Sequence, residues 1–258
     1  LDVPSGVNAL TASCDPDCIR ADFTVVFDSF KPAHLFPAEL PCLGILHLVD
    51  IGIPEAAHEG FGNRFIHCDE ETLLYYLAPK ASNSHKGTNG RLLNIAGSMG
   101  MAGAAVLSTS AALRSGAGYV TLAIPENLYP HVTAHLVSPV CLLLQEGQQL
   151  SAIQAALSRS DAVAIGCGLG SSTSVQRLAR LAEGCHLPLI LDADGINALV
   201  QDIDILKRAA SPRILPPHLG EFSRLIKKPV EEIKENRIGL AKGFSQEYNS
   251  ILVLKGAN

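Results

Sequence analysis

The sequence lacks any concentration of positive charge. It carries 20 Lys and Arg residues against 25 Asp and Glu, a net charge of −5, and the basic residues are scattered along the 258-residue chain. We therefore expect no nucleic-acid-binding surface, because phosphate backbones are held by clustered basic side chains. A small anionic ligand stays open, since backbone N–H groups and one or two lysines can hold a phosphate.

Long apolar runs and a cysteine framework are also missing. No stretch reaches the 18 consecutive apolar residues typical of a transmembrane helix, and no basic segment followed by an apolar one opens the chain as a secretory signal would. The seven cysteines are odd in number, and no second pair completes a zinc pattern with Cys14 and Cys18. We expect free thiols in a reducing, cytoplasmic compartment and no membrane partner.

The two ends of the chain indicate a piece of a longer protein. The chain begins at Leu1 without Met and stops at Asn258, directly after the apolar run Ile251–Leu254. Residues 1–57 contain only short strand-like runs, 23–27 and 44–49, which is little chain for an independent core. We expect the remnant of one domain over residues 1–57 and a second, truncated domain over residues 58–258.

From residue 90 onward, apolar strands alternate with helical segments. The predicted strands are 91–96, 119–124, 140–144, 162–165, 187–191 and 251–254, and the predicted helices are 102–114, 149–159, 171–183, 196–209, 219–226 and 229–248. This alternation predicts an α/β fold with a mostly parallel sheet and helices on both faces. A ligand then binds beyond the carboxyl ends of the strands.

Two loops after predicted strands are rich in glycine. Gly97–Ala105 spaces its glycines by three and opens a helix of small residues, which suits either an anion at a helix N-terminus or a tight strand–helix turn. It is neither a dinucleotide fingerprint nor a P-loop. Gly166–Gly170 has three glycines in five residues, as where a ligand or a neighbouring backbone passes closely. Cys167, between them, is interpreted as a buried filler because no base stands beside it.

Three further loops carry polar side chains after strands. Asp192 and Asp194 suit acid–base or metal chemistry, or one of them caps the following helix while the other is solvated. His218 follows a Pro-Pro pair, and Glu221 three residues later suits a capping box. Lys255 beside Gly256 suits a phosphate, with a solvated lysine as the alternative.

Taken together, these loops resemble the NAD(P)H-hydrate dehydratases, a family with a ribokinase-like α/β fold. The motifs that carry the resemblance occur in the family's order: His85-Lys86-Gly87, Gly97–Ala105, Ala111–Gly118, Gly166–Gly170, Asp192–Leu199, Pro217–Glu221 and Lys255-Gly256-Ala257. Leu219 departs from the proline that is usual there. The front of the chain, with Leu1–Ala9 and Asp50–Pro54, resembles the end of the NAD(P)H-hydrate epimerase domain that precedes the dehydratase in bifunctional repair enzymes. The front of the chain would then be the tail of this Rossmann-like epimerase domain.

The resemblance implies a reaction and a set of residues. The reaction is ADP-dependent dehydration of hydrated NADH or NADPH, with Mg²⁺, and epimerisation with K⁺ in the parent protein. Implied contacts to the hydrated nucleotide are Ala104, Gly168 and His218, with Asp2 in the epimerase part; implied contacts to ADP are Lys255, Gly256, Ala257 and Asn258; and Ser5 would ligate K⁺. The family's catalytic Asp would lie beyond Asn258, so no catalytic residue is assigned. We expect a homo-oligomer.

Two other functions compete with this one. A ribokinase-like kinase for another small alcohol shares the fold, although the epimerase-like front argues against it. The second is an inactive nucleotide-binding remnant, if the chain truly ends at Asn258.

Overall fold

The computed structural model describes residues 1–36, 40–59, 65–66, 68, 70–77, 80–170 and 181–256. The chain divides into two compact units. One consists mainly of Leu1–Lys80, and the other mainly of Ala81–Val230 and Leu240–Lys255. The proposed domain limit after residue 57 stays a prediction. In the described part of the chain, no helix combines the length and the apolar character that crossing a membrane would require.

The first unit is built around β1 (Phe23–Phe27) and β2 (Ile45–Val49), which confirm the two predicted strand-like runs and pair in parallel. Phe23 pairs with Ile45, and Phe27 pairs with Val49. A buried cluster of Val7, Ala33, Leu40, Cys42 and Leu43 supports this pair. Helix α1 (Glu70–Tyr76) follows later in the chain.

The second unit contains a seven-stranded parallel sheet in the order β5-β4-β3-β6-β7-β8-β9. Its strands are β3 (Arg91–Ile95), β4 (Tyr119–Pro125), β5 (Val140–Leu144), β6 (Ala162–Ile165), β7 (Leu189–Leu191), β8 (Arg213–Leu215) and β9 (Ile251–Leu252). Fully buried apolar side chains line the central strands, among them Leu93, Ile95, Leu122, Leu189 and Leu191. The predicted parallel α/β fold is confirmed.

The helices run between these strands. They are α2 (Ala102–Arg114), α3 (Tyr129–Thr133), α4 (Gln149–Leu157), α5 (Leu181–Gly184), α6 (Asp194–Leu199), α7 (Leu219–Ile226), α8 (Val230–Glu235) and α9 (Arg237–Glu247). The predictions of α2 and α7 are confirmed to the residue. Most of the helix predicted over 171–183 lies outside the described residues.

Two helix predictions were wrong in detail. The segment 196–209 is not one helix, because α6 ends at Leu199 and a 3₁₀ helix covers Ile203–Arg208. The segment 229–248 divides at Asn236 into α8 and α9. Asparagine favours such a break, since its amide competes for backbone hydrogen bonds.

The strand order changes direction at the centre of the sheet. From β3 the chain proceeds outward to β4 and β5, and then continues on the other side with β6 through β9. The loops that follow β3 and β6 therefore meet at a topological switch point, where α/β sheets bind their ligands.

Candidate functional site

The loops after β3 and β6 are joined directly by hydrogen bonds. The backbone N–H of Gly97 donates to the Cys167 carbonyl at 2.9 Å, and Ser98 Oγ donates to the Gly168 carbonyl at 2.8 Å. Gly97 has φ +81°, a conformation that a side chain would strain. The two glycine-rich loops predicted from the sequence thus form one structure at the switch point.

Gly168 faces the first turn of α2 at very short range. Its φ is +68°, and a Cβ on it would lie 2.7 Å from Ala104 Cβ and 3.0 Å from the Met101 carbonyl oxygen. Only glycine allows this approach, so the packing of the loop against α2 requires glycine at this position. Ala104 and Gly168, both implied by the family resemblance, are therefore neighbours.

The N-terminus of α2 presents a favourable field for an anion. The helix has 13 residues, and its first turn contains no acidic side chain. Unpaired N–H groups and the helix dipole at such an end stabilise negative charge. The small residues of this turn, including Gly103 and Ala104, leave space in front of it: a Cβ on Gly103 would have nothing within 4 Å.

The loop after β7 packs against the loop after β6. A Cβ on Gly166 would collide with the Asp192 carbonyl oxygen, and the Gly170 N–H donates to Asp194 Oδ2 at 2.7 Å. Asp192 Oδ1 accepts the N–H of Ala193 at 2.8 Å. Neither carboxylate caps α6, whose N-cap is Ala193 at φ +49° without a side-chain cap. The capping alternative was wrong, because both carboxylates bond to other groups.

His218 is the N-cap of α7. Its Nδ1 accepts the N–H groups of Gly220 at 3.0 Å and Glu221 at 3.3 Å, while the His218 N–H donates to Glu221 Oε2 at 2.9 Å. The capping box suggested by the sequence is confirmed. Because Nδ1 accepts, the neutral ring carries its proton on Nε2. That nitrogen lies 3.5 Å from Glu221 Oε1, and it belongs to a side chain that is 57% exposed and therefore accessible to a ligand.

Lys255 follows β9 and lies at the carboxyl edge of the sheet, beside His218 and Asp192. Its N–H donates to the Pro217 carbonyl at 2.9 Å, and it forms a parallel bridge with His218. Its ammonium lies 3.2 Å from Asp192 Oδ1. The structure thus links Lys255 and His218 to the Gly166–Gly170 loop through Asp192. The Lys255 side chain is half-exposed.

Cys167 shows the features of a filler and not of a nucleophile. Burial, and next the negative charge of Asp192, raises the pKa of its thiol. A thiol with a raised pKa is protonated at neutral pH and reacts slowly. The interpretation from the sequence therefore agrees with the structure.

Asp2, in the first unit, is held by a basic residue. Lys31 Nζ lies 2.5 Å from Asp2 Oδ1, and the Phe27 N–H donates to the same oxygen at 3.1 Å. Partial burial raises the pKa of Asp2, but the hydrogen bonds and charge of Lys31 outweigh it, and the net pKa is lowered. Ser5 is exposed, and its carbonyl accepts the Ile19 N–H at 3.0 Å. No contact described for Ser5 indicates a cation.

Three residues that the family resemblance implies as ADP contacts take no part in the contacts described above. Gly256 is exposed and follows Lys255, while Ala257 and Asn258 lie outside the described residues. Conversely, Ser98 was not predicted as a site residue, although its hydroxyl links the two central loops. Its position directly after Gly97, in a loop that follows a strand, could have indicated a role at the site.

Comparison with known proteins agrees with this arrangement. The family described as NAD(P)H-hydrate dehydratase matches residues 92–258. Bifunctional NAD(P)H-hydrate repair enzymes from Escherichia coli K12 and Moorella thermoacetica are 35% and 32% identical to all of this chain, which covers 48% and 50% of them. The chain thus spans about half the length of the curated relatives it matches.

Solved structures give the same result for the fold. The ADP/ATP-dependent NAD(P)H-hydrate dehydratase of Bacillus subtilis, co-crystallised with ATP and Mg²⁺, is 32% identical with a TM-score of 0.61, over 73% of this chain and 65% of that one. A ribokinase-like protein of Enterococcus faecalis has a TM-score of 0.61 at 23% identity, over 69% of this chain and 61% of that one, and shows the fold alone. On its sequence match and its switch-point loops, the chain belongs to the NAD(P)H-hydrate dehydratase family.

Proposed function

We propose that the protein containing this chain repairs hydrated NADH and NADPH by ADP-dependent dehydration. The observation that carries the proposal is the joined set of loops at the carboxyl edge of the sheet. Gly168 lies against Ala104, and Asp192 connects the Gly166–Gly170 loop to Lys255 beside His218. This edge offers a helix N-terminus, an ammonium and an imidazole N–H to phosphorylated ligands.

The chemistry that this site would serve is the conversion of a poor leaving group into a good one. The C6 hydroxyl of the hydrated ring attacks the terminal phosphorus of ADP, a new O–P bond forms, the bond to AMP breaks, and the hydroxyl proton passes to a base. The ring nitrogen lone pair then expels phosphate from C6. Loss of a proton from C5 restores the dihydropyridine ring.

The chain's own residues would bind and orient the two nucleotides. Ala104 and Gly168, which lie against each other, would contact the hydrated nucleotide, and His218 Nε2–H would donate to it. Lys255 would exchange its contact with Asp192 for a phosphate of ADP, next to Gly256, Ala257 and Asn258. Holding both reactants in one geometry removes much of the entropic cost of a bimolecular step.

Mg²⁺ would neutralise charge on the nucleotide phosphates. The carboxylates at this edge are a partial fit for it, because Mg²⁺ takes oxygen ligands and keeps several waters. Asp192 Oδ1 already contacts Lys255, and Asp194 Oδ2 accepts from Gly170. We therefore infer that the ion is carried mainly by the nucleotide phosphates.

The first unit is proposed to be the end of an epimerase domain. Its relatives are named bifunctional repair enzymes. Asp2, held by Lys31, would contact the hydrated nucleotide there, and Ser5 would contribute to a K⁺ site. The homo-oligomer and the cytoplasmic location stay predictions.

The test is the recovery of NADH from hydrated NADH by the complete protein, with and without ADP. His218→Asn is the informative variant, because asparagine also caps helices but lacks the Nε2 donor. Loss of one hydrogen bond of about 0.5–1.5 kcal/mol predicts a roughly two- to tenfold loss in kcat/KM, mainly through KM.

His186→Asn is the matched control, because His186 is exposed just before β7, at the opposite edge of the sheet. It should leave the kinetics unchanged. If the complete protein returned no NADH but phosphorylated another small alcohol from a panel of vitamins and sugars, the kinase alternative would replace this proposal. If it did neither, the inactive remnant would be the better description.

A further inference from the structure

Three cysteines of the first unit, from two separate segments of the chain, meet at one point. Cys14 Sγ lies 2.9 Å from Cys18 Sγ and 3.6 Å from Cys42 Sγ, and all three sulfurs are within 4.8 Å of one another. The described part of the chain holds no second group of three His, Cys, Asp or Glu side chains that could hold a metal in this way. The sequence pattern gave no zinc motif because Cys42 is 24 residues beyond Cys18.

The backbone around the cluster fixes the positions of the sulfurs. Cys14 forms an isolated antiparallel β-bridge with Val7. The Cys18 N–H donates to the Asp15 carbonyl at 3.0 Å, which closes the turn between the first two cysteines. Cys42 lies in a short 3₁₀ helix, Pro41–Leu43, whose Cys42 carbonyl accepts the Ala21 N–H at 2.9 Å. Two separate segments are thus anchored with their thiols facing each other.

Gly6 makes the approach of Cys18 possible. It has φ +95°, and a Cβ on it would lie 2.8 Å from both Cα and Cβ of Cys18. Any other residue at this position would push the Cys18 turn away from the other two thiols. The apolar cluster that contains Cys42, with Cys18 packed against it, supports the other side.

From this geometry we propose that Cys14, Cys18 and Cys42 form a three-thiolate site for Zn²⁺, with a water molecule as the fourth ligand. Zinc takes thiolates at about 2.3 Å in a tetrahedron, which places the sulfurs roughly 3.8 Å apart. The separation of 3.6 Å between Cys14 and Cys42 suits this, and the pair at 2.9 Å would have to widen.

The exposure of the three cysteines differs, and it leaves the fourth ligand position open to solvent. Cys42 is buried, Cys18 is intermediate and Cys14 is exposed, so solvent reaches the site from the Cys14 side. On binding, three Zn–S bonds replace three S–H bonds, and the three protons pass to solvent.

The site is separate from the proposed repair reaction, and its test does not use activity. The 258-residue chain, purified with reductant and stripped of metal by a chelator that is then removed, is titrated anaerobically with Co²⁺ and then with Zn²⁺. We expect one equivalent of Co²⁺ to produce thiolate-to-cobalt charge-transfer bands, and one equivalent of Zn²⁺ to abolish them.

Cys14→Ser is the main variant, because Cys14 is exposed and its substitution should leave the fold intact. Loss of a direct ligand should weaken Co²⁺ binding at least about tenfold, since even outer-shell changes do so. Cys42→Ser should do the same, with circular dichroism as the check on folding. Cys68→Ser, an exposed thiol outside the cluster, is the control and should bind as the unmodified chain does.

Three results would overturn the site. They are the absence of charge-transfer bands in the unmodified chain, equal Co²⁺ affinity in Cys14→Ser, and a metal-free Cys14–Cys18 disulfide trapped by alkylation in protein taken directly from cells. The last result would show that the pair is used as a redox couple instead.

Discussion

Gly168 combines two constraints that can be separated by mutation. Its backbone is left-handed at φ +68°, and its missing Cβ leaves room for Ala104. Gly147 shares only the first constraint, with φ +82° and nothing within 4 Å of an added Cβ. The two positions therefore distinguish backbone strain from closure of the switch-point loops.

We predict that Gly168→Ala lowers dehydration of hydrated NADH by about tenfold to a hundredfold, because the loops after β3 and β6 must separate and misplace the substrate. Each Gly→Ala change should also cost about 1–2 kcal/mol of unfolding free energy from backbone strain. Denaturant unfolding and steady-state kinetics on both variants measure the two effects. Equal loss of activity in Gly147→Ala would contradict the role given to Gly168.

At the scale of secondary-structure elements, α9 (Arg237–Glu247) contains a glycine without an evident purpose. Gly243 lies in the helix interior, is exposed, and an added Cβ would have nothing within 4 Å. We predict that Gly243→Ala raises the free energy of unfolding by about 0.5–1 kcal/mol, since glycine loses more backbone entropy in a helix than alanine does.

Denaturant unfolding checks this prediction: the midpoint should rise while the slope of the unfolding free energy against denaturant concentration stays constant. Gly147→Ala is the contrasting variant, because it is equally open but has a left-handed backbone and should lose stability. If both substitutions changed the free energy of unfolding in the same direction, backbone conformation would not be the cause of the difference.

The sequence alone predicted most of the elements and the order of their loops. Strand 162–165 was predictable because the strands of a parallel sheet are continuously apolar. Helix 102–114 was predictable because a run of small residues stops just before a glycine, where helices commonly end. Five of the seven strands of the sheet start at the predicted residue, and β7 starts two residues later. The same strand–helix alternation predicted that a ligand binds beyond the carboxyl ends of the strands.

The remaining elements depend on contacts that are distant in sequence. Strand β8 (Arg213–Leu215) was not predicted, because it has three residues and begins with a charged one. Arg213 is nevertheless fully buried, and its guanidinium donates to the carbonyls of Cys185 at 2.7 Å and Ser211 at 2.9 Å. Likewise, the contact between Asp194 and Gly170 links two loops that no local pattern relates.

At the scale of the whole molecule, the two units need not respond alike to pH, and the first contains a buried histidine. His34 is 3% exposed. Its Nδ1 accepts the Lys31 N–H at 3.0 Å, so Nε2 carries the proton and donates to the Asp2 carbonyl at 2.9 Å. Burial lowers the pKa of His34 below its ordinary value of 6.5, and the charge of Lys31 acts in the same direction. The hydrogen bond to the Asp2 carbonyl and the charge of Asp2 oppose this without reversing it.

The sign of the effect follows from linkage. Below pH 6.5 the unfolded chain takes up a proton on His34 before the folded unit does, so the stability contributed by neutral His34 is present above pH 6.5 and is lost as the pH falls toward the lowered value. The slope is at most about 1.4 kcal/mol per pH unit for one proton. The lowered pKa of Asp2 adds a loss of the same sign, but only below its ordinary value of 3.8.

We predict that amide hydrogen exchange of β1 (Phe23–Phe27), corrected for intrinsic rates, shows decreasing protection between pH 7 and pH 5, and that His34→Gln removes most of this dependence. Glutamine does not titrate, so the folded and unfolded states then bind equal numbers of protons at this position. His47→Gln, at an exposed position on β2 of the same unit, should keep the slope. An unchanged slope in His34→Gln would mean that another group controls the acid response.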